Sequence, residues 1–294
     1  MVTIKKKAVG KNEYYYLEHS FRQNGKVMKK ELYLGKEIPR EIEEIKKKFI
    51  FDIYKEKWFD IFENIKKNYS KEKKITPHSA KEKEMEQFVT KFTYNTQRIE
   101  GSRLTFRDTA NLLEGGITPK ERPLRDIKEA EAHKKVFYEM LDYKKDLSLQ
   151  IVLCWHKRLF QETKGDISGK IRVHQVKISG SKFMPPMPVE LDFLLKEFFD
   201  WYNQNKNRLH PVELAALVHL KFVTIHPFGD GNGRISRLMM NFVLNKRGFP
   251  MIDISYENRN SYYNALERSH TKKNELIFLQ WFLKRYLKDN KVFL

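Results

Sequence analysis

The chain reads HPFGDGNGRISR from His226 to Arg237. The stretch holds an imidazole that can accept a proton near neutral pH and a carboxylate of the kind that binds Mg²⁺. Its glycines let backbone N–H groups approach an anion, and its two arginines can grip phosphate. Apolar residues at helical spacing precede it, so we expect a loop that leads from one helix into the next. This combination indicates chemistry on a phosphorylated nucleotide.

Asp230 also has a purely structural explanation, since aspartate suits the N-cap of the following helix. Asn232 can donate from its side-chain amide to a phosphate oxygen. Arg234 and Arg237 are three residues apart and share a helix face. Two cations in a first turn oppose the helix dipole unless an anion is present. That conflict favours an anion-binding site.

Composition limits the class of protein. The chain has 294 residues, 40% hydrophobic and 13% aromatic, which indicates a folded globular protein. Its single cysteine, Cys154, lies in an apolar stretch and is expected to be buried; no disulfide framework is possible. We expect no signal peptide after the basic N-terminus, and no run approaches the ~20 apolar residues that span a bilayer. The sequence therefore predicts a cytoplasmic protein without a membrane partner.

The formal net charge of +19 leaves a nucleic-acid partner to be considered. Residues 1–80 contain 20 Lys and Arg and 12 Asp and Glu, so the positive excess extends beyond them. A dispersed, Lys-rich excess is typical of a solvated surface, whereas nucleic-acid sites usually cluster Arg and Lys on one face. Nucleic acid is therefore an alternative partner that the charge distribution does not favour.

The first 75 residues predict a small β-meander and a long helix. Aromatic and β-branched residues between Val2 and Leu34 indicate three short strands, with Asn24-Gly25 as a hairpin turn. Pro39 suits a first helical turn, and apolar residues at helical spacing follow it. The Lys-rich stretch 69–77 ends in proline and is predicted to be a linker.

From Glu82 onward the pattern is helical, so the fold class is mainly α. Thr105 with Asp108 predicts a capping box, Ser148 an N-cap and Pro211 a first helical position. Residues 172–186 interrupt the series and predict a β-hairpin that turns at Ser179-Gly180. Helices are predicted at 82–99, 106–114, 125–143, 148–161, 188–206, 211–225, 233–247, 257–268 and 274–288.

The stretch from His226 to Arg237 matches every fixed position of H-x-F-x-[DE]-G-N-G-R-x-x-R, the signature of the Fic family, which the chain resembles over about residues 82–290. The resemblance implies a helical Fic-fold domain with a β-hairpin flap, here preceded by the extension 1–75. It also implies transfer of AMP from ATP, with Mg²⁺, to a Ser, Thr or Tyr hydroxyl of a target protein. In that scheme His226 is the general base and Asp230 the metal ligand. The residues that the resemblance assigns to ATP binding are Asp230, which acts through the metal, Gly231, Asn232 and Gly233, which stabilise charge on the phosphates, and Arg234 and Arg237, which grip the outer phosphates.

Two other segments resemble parts of the family that contact nucleotide or target. Residues 176–186 resemble the target-binding flap, whose strand edge could pair with an extended target segment. A purely structural hairpin is the alternative. Tyr262 and Tyr263 resemble a nucleotide-contacting segment, although His270 stands where relatives often carry Asn. The residues that this resemblance adds to the ATP site are Ser179, Gly180, Ser181, Lys182, Tyr262 and Tyr263.

The segment Thr96 to Gly101, reading TQRIEG, matches the family's inhibitory pattern [ST]-x-x-x-E-[GN]. An acidic side chain at a helix C-terminus is unfavourable, so Glu100 is expected to have a partner. By resemblance the inhibitory helix covers about residues 85–101 and that partner is Arg237. Glu100 would then occupy the position of the γ-phosphate and hold ATP unproductively.

Alternatives to a self-inhibited adenylyltransferase remain open. A de-adenylylating or bifunctional enzyme would use Glu100 to position water, and a kinase-like relative would depart from the Gly-Asn-Gly motif kept here. A nucleic-acid-binding regulator with a vestigial site is the alternative of another class. An intact His226, Asp230, Asn232 and Arg237 argue against a vestigial site. A homodimer is expected by analogy alone.

Overall fold

A computed structural model describes residues 2–10, 12–23 and 26–294. Strands β1 (Val2–Val9), β2 (Asn12–Gln23) and β3 (Lys26–Gly35) form an antiparallel sheet in the order β1-β2-β3. Ile4 pairs with Leu17, which pairs with Leu32. This sheet confirms the predicted meander. The predicted turn residues Asn24 and Gly25 lie outside the described residues.

The sheet and the start of the first helix form the first of two compact units, Met1–Glu63 and Asn64–Leu294. Leu17 is fully buried in this unit and clusters with Phe49 and Ile53. Partly buried apolar side chains pack around them, namely Val2, Ile4, Phe21, Leu34, Ile42 and Ile45. The predicted division at residues 1–75 and 82–290 stays a prediction.

Helix α1 runs from Ile42 to Ile75. The stretch 69–75 is therefore helical, and the prediction of a linker there was wrong. Lysine and glutamate are good helix formers, so a Lys-rich composition does not by itself interrupt a helix. The break falls at Thr76-Pro77, because proline cannot continue the preceding helix.

The nine helices predicted between residues 82 and 288 are all present. Thr105 and Asp108 form the predicted capping box, the Ser148 hydroxyl accepts from the N–H of Ile151, and Pro211 is the first residue of its helix. Three short 3₁₀ turns cover Pro188–Glu190, Tyr256–Asn258 and Lys291–Phe293. The helices are α2 His78–Ile99, α3 Phe106–Leu113, α4 Leu124–Asp142, α5 Leu149–Phe160, α6 Leu191–Asn205, α7 Pro211–Ile225, α8 Asn232–Lys246, α9 Arg259–Thr271 and α10 Glu275–Asp289.

Helices α7 and α8 lie at the centre of the second unit and are buried over most of their length. Helix α7 carries apolar side chains on every face, as expected for a helix enclosed by others; Leu214, Val218 and Phe222 are among its buried residues. Helix α10 also packs against α7. The short loop between α7 and α8, which carries the first half of the motif, is therefore anchored in the core at both ends.

The segment 172–186 reverses direction but forms no β-ladder among the described residues. Its turn is closed by a hydrogen bond from the N–H of Ser181 to the carbonyl of Ile178, with Gly180 at φ +74°. Arg172 and Gln175 donate to the carbonyls of Pro186 and Pro185 at 2.6 and 2.8 Å. The returning arm contains prolines, which have no N–H to donate to a ladder. Side chains therefore close the loop instead.

Two other features bear on the predictions made from composition. Cys154 on α5 is half-buried, less enclosed than predicted. Among the helices described, none combines the length and apolar character needed to cross a bilayer.

Candidate active site

The loop between α7 and α8 has a backbone shape that its own residues fix. His226 ends α7 in the left-handed conformation, φ +53°, and its N–H still donates to the carbonyl of Phe222. The side-chain amide of Asn232 accepts from the N–H of Phe228 at 2.9 Å and donates to its carbonyl at 2.8 Å. Asn232, predicted to contact phosphate, is thus a clamp that closes the loop.

Gly231 is required by both conformation and space. Its φ is +82°, in the region that favours glycine. A Cβ at this position would lie 2.4 Å from the ring of Phe160. The loop therefore lies directly on α5.

His156 on α5 supports the same loop. Its ring stacks on Phe228 at 3.8 Å between centroids. Nδ1 accepts from the N–H of Gly169 at 2.9 Å, so Nε2 carries the proton and donates to the carbonyl of Asp230 at 3.0 Å. Burial lowers the pKa of His156 to about 4 and keeps the ring neutral. Sequence reasoning missed this residue, because a histidine on an apolar helix carries no motif of its own.

His226 presents one ring nitrogen as an acceptor. Nδ1 lies 3.1 Å from the carbonyl oxygen of Val223. A carbonyl only accepts, so Nδ1 carries the proton and the lone pair is at Nε2. Burial lowers the pKa of His226 below its usual value, so the ring is neutral at physiological pH. The backbone is held as well, since Nε of Arg172 donates to the His226 carbonyl at 2.8 Å.

Asp230 is ionised and surrounded by donors. Oδ1 accepts from the N–H of Gly231 at 2.5 Å and lies 3.0 Å from Nη2 of Arg234. Oδ2 pairs with the ammonium of Lys164, which is also 3.5 Å from Oε1 of Glu129. Burial alone would raise the pKa of Asp230, but Arg234 and Lys164 outweigh it and hold the pKa at about 2. Sequence reasoning missed Lys164 and Glu129.

Arg234 is enclosed by partners and is 2% exposed. Its Nη1 pairs with the carboxylate of Glu129 and donates to Oε1 of Gln97 at 3.1 Å. The guanidinium lies over the ring of Phe160, 4.5 Å from the centroid. Arg234 was predicted to grip a phosphate, but here it joins α2, α4 and α8.

Arg237 pairs with Glu100, the partner that the sequence predicted. Nη2 of Arg237 lies 2.6 Å from Oε1 of Glu100. Nε donates to the hydroxyl of Thr96 at 2.9 Å, and Nη1 to that of Tyr262 at 3.3 Å. Burial lowers the pKa of Arg237, but the Glu100 carboxylate more than offsets this and raises the pKa above its usual range. A Cβ on Gly233 would lie 2.3 Å from Oε1 of Glu100, so a larger residue here would displace the Glu100 carboxylate from its position.

The two tyrosines predicted to contact nucleotide differ in position. Tyr262 is buried, and its hydroxyl lies 3.0 Å from Nε2 of His219 and within reach of Arg237. Burial raises the pKa of Tyr262 to about 12, so it stays neutral. Tyr263 is 44% exposed and donates to the carbonyl of Ile99 at 2.9 Å. Tyr262 therefore supports Arg237 from behind, whereas Tyr263 caps the end of α2.

Helix α9 holds the loop that turns at residues 178–181. The Ser181 hydroxyl pairs with the carboxylate of Glu267, which also accepts from the N–H of Lys182 at 2.9 Å. Phe183 stacks on His270 at 4.2 Å. His270, which departs from the family pattern, thus packs against the loop, as does Glu267, which the sequence did not single out. Of the four loop residues predicted to bind ATP, Ser181 and Lys182 have partners on α9.

Comparison with known proteins finds similarity to the Fic/DOC family in two ways. A model of the Fic/DOC family matches residues 146–244. The curated Protein adenylyltransferase Fic of Drosophila yakuba is 35% identical over 178 residues, which cover 59% of this chain and 36% of that protein. The Drosophila melanogaster protein of that name is 34% identical over the same shares. The chain thus spans about a third of the length of these curated relatives.

Solved structures extend the likeness over most of the chain. A Fic domain containing signaling protein from Bacteroides thetaiotaomicron is 30% identical, with a TM-score of 0.68; 78% of this chain and 95% of that chain are covered. Fic-1 from C. elegans, residues 134 to 508, has a TM-score of 0.70 at 24% identity and covers 83% and 72% of the two chains. At 24% identity, the similarity to Fic-1 shows the fold alone.

Proposed function

The chain belongs to the Fic/DOC family, and from this premise we propose that it is a self-inhibited protein adenylyltransferase. The substrate pair is ATP and a target protein with a free Ser, Thr or Tyr hydroxyl. One arrangement carries the proposal. A neutral His226 with its lone pair at Nε2 belongs to the same short motif as Arg237, whose guanidinium is bound by Glu100.

The reaction assigned to this site is a single displacement at phosphorus. Nε2 of His226 accepts the proton of the target hydroxyl, and the oxygen attacks the α-phosphorus of ATP. The new oxygen–phosphorus bond forms as the bond to the β-phosphate breaks, and pyrophosphate leaves. The target keeps AMP. General-base help of this kind contributes roughly 10²–10⁴-fold to a rate.

Asp230 suits a magnesium ion bound together with the nucleotide. Its carboxylate is ionised, with a pKa of about 2. No group of three or more His, Cys, Asp and Glu side chains that could hold a metal occurs among the described residues. One carboxylate fits Mg²⁺ nevertheless, since this ion commonly takes one or two carboxylates plus substrate phosphates. When bound, it would neutralise charge on the phosphates.

Self-inhibition follows from charge and position. Three cations and three anions balance each other in the network around the motif: Lys164, Arg234, Arg237, Glu100, Glu129 and Asp230. Removal of Glu100 leaves an excess positive charge at Arg237, which then attracts the outer phosphates of ATP. With Glu100 in place, ATP must compete with an ion pair of nearly ideal length, 2.6 Å.

De-adenylylation by the same site is a second candidate. The Glu100 side chain retains 25% exposure beside Arg237, so its second oxygen can position a water. That water would attack the phosphorus of an adenylylated target and release AMP. In this case Glu100→Gly raises transfer and abolishes removal.

Protein-bound label from ATP tests the proposal. Wild type, Glu100→Gly and His226→Ala would be incubated with Mg²⁺ and ATP labelled at the α- or the γ-phosphate. We expect α-label that is strong on Glu100→Gly, weak on wild type and absent from His226→Ala. The γ-label alone would identify a kinase and contradict the proposal. Removal of AMP is measured separately, by incubating wild type with a target protein that already carries labelled AMP.

A further inference from the structure

The two carboxylate oxygens of Asp230 are held by partners of different kinds. Oδ1 is bound by the backbone N–H of Gly231 and by Arg234, whose side chain is 2% exposed. Oδ2 is bound by the ammonium of Lys164, whose side chain is 27% exposed. A backbone amide and an enclosed guanidinium cannot move without disturbing the loop. A lysine can rotate about its four-carbon stem. Oδ2 is therefore the oxygen that can be vacated.

Lys164 has a second acceptor close by. Its Nζ lies 3.5 Å from Oε1 of Glu129, whose Oε2 pairs with Arg234. The hydroxyl of Thr163 donates to the same Oε1 at 3.3 Å, so this oxygen already faces the segment that carries the lysine. An ammonium that leaves Asp230 can thus remain paired. The second acceptor therefore keeps the lysine in an ion pair after it leaves Oδ2.

We propose that Lys164 is a positioning residue that holds Oδ2 of Asp230 until Mg²⁺ arrives with ATP, and that it then pairs with Glu129. The inference rests on the adenylyl transfer proposed above. A divalent cation alone must displace a like charge from the carboxylate, which opposes its binding. A triphosphate adds negative charge that offsets this repulsion. Metal and nucleotide binding are thereby coupled, and the coupling is reciprocal.

Manganese binding to the whole chain tests this inference without turnover. Free Mn²⁺ would be measured by electron paramagnetic resonance, without nucleotide and with a non-hydrolysable ATP analogue. We expect Lys164→Met to tighten nucleotide-free Mn²⁺ binding at least about tenfold, the effect of removing one nearby unit charge. With the analogue the change should be much smaller. Lys164→Arg keeps the charge and should resemble wild type.

The matched control is Lys170→Met. Lys170 is an exposed lysine that lies, like Lys164, in the connection between α5 and α6, and its ammonium donates to the carbonyl of Asp166. Removal of the Lys170 charge should leave Mn²⁺ binding unchanged. Near-ultraviolet circular dichroism checks that each variant is folded. Asp230→Asn added to Lys164→Met should abolish the gain.

Three results would overturn the inference. The first is an affinity for Mn²⁺, measured without nucleotide, that is the same in Lys164→Met and wild type or is undetectable in both. The second is an equal gain in Lys170→Met, and the third is a gain that survives Asp230→Asn. The proposed function fails separately, through absence of α-label on any target, and that result leaves the Mn²⁺ measurement valid.

Discussion

At the scale of single residues, the tautomer of His226 decides the chemistry. The Val223 carbonyl fixes the proton on Nδ1, so Nε2 is the nitrogen that we propose as the base. The sequence motif alone identifies the histidine but does not show which of its ring nitrogens carries the lone pair. Arg172 and His156, which hold the backbone of the loop, are 54 and 74 residues away from the groups they contact. Pairings across such separations come from packing, which a single sequence does not reveal.

The pH dependence of transfer follows from the pKa of His226. Burial lowers this pKa below 6.5, and only the neutral ring accepts a proton. Adenylylation by Glu100→Gly should therefore be constant from pH 8 to pH 7 and fall only as pH drops below the ordinary histidine range. Initial rates of α-label transfer across pH 5–8 check this. An acid limb with its midpoint above pH 6.5 would contradict it.

His156 should matter for loop order rather than for proton transfer. His156→Ala removes a buried ring stacked on Phe228 and two hydrogen bonds. We expect a loss of about 2–4 kcal/mol in the free energy of unfolding and a lower kcat in the Glu100→Gly background. Urea denaturation and steady-state kinetics measure the two effects. His78→Ala, on the exposed first turn of α2, is the control and should change neither.

At the scale of elements, helix α2, which we propose to be inhibitory, is held at its C-terminus. Helix α2 ends at Ile99, whose carbonyl accepts from Tyr263, and Glu100 follows. Helices were predictable here because apolar spacing and caps are local. The 172–186 hairpin was predicted as strands and lacks a ladder, because side-chain donors to the Pro185 and Pro186 carbonyls close it instead. Glu129 and Lys164, 105 and 66 residues from their partners Arg234 and Asp230, had no local signal.

Loosening the end of α2 should partly relieve inhibition. Tyr263→Phe removes the hydrogen bond to Ile99 while keeping the ring. A loss of about 1 kcal/mol from the inhibited state should raise the rate of adenylylation up to about fivefold. The same change in a Glu100→Gly background should have little effect, since inhibition is already absent. Tyr14→Phe on β2 is the matched control, and an equal gain in that variant would argue against the account.

At the scale of the whole molecule, one buried carboxyl works against stability near neutral pH. Asp253 accepts from Nδ2 of Asn95 at 2.6 Å, and burial raises its pKa to about 7. The folded state therefore holds a proton that the unfolded chain releases near pH 4. The stability linked to this group is fully present below about pH 4 and is lost as pH rises towards 7.

Asp253→Asn should remove that loss. The amide oxygen can still accept from Asn95, so we expect the variant to be more stable than wild type by roughly 2–4 kcal/mol at pH 8 and by only about 1 kcal/mol at pH 4.5. Urea denaturation at both pH values measures the difference. Asp166→Asn, an exposed aspartate, should give no such gain. Equal stability of Asp253→Asn and wild type at pH 8 would show that the carboxyl is not a net cost.

The most direct test of the central claim is the rate of α-label transfer by Glu100 variants. Glu100→Gln keeps the shape but loses the charge that pairs with Arg237, and Glu100→Gly removes both. Self-inhibition predicts rates in the order Glu100→Gly above Glu100→Gln above wild type, with His226→Ala inactive in every background. Equal rates for wild type and both Glu100 variants would contradict the claim that the Glu100–Arg237 ion pair restrains this site.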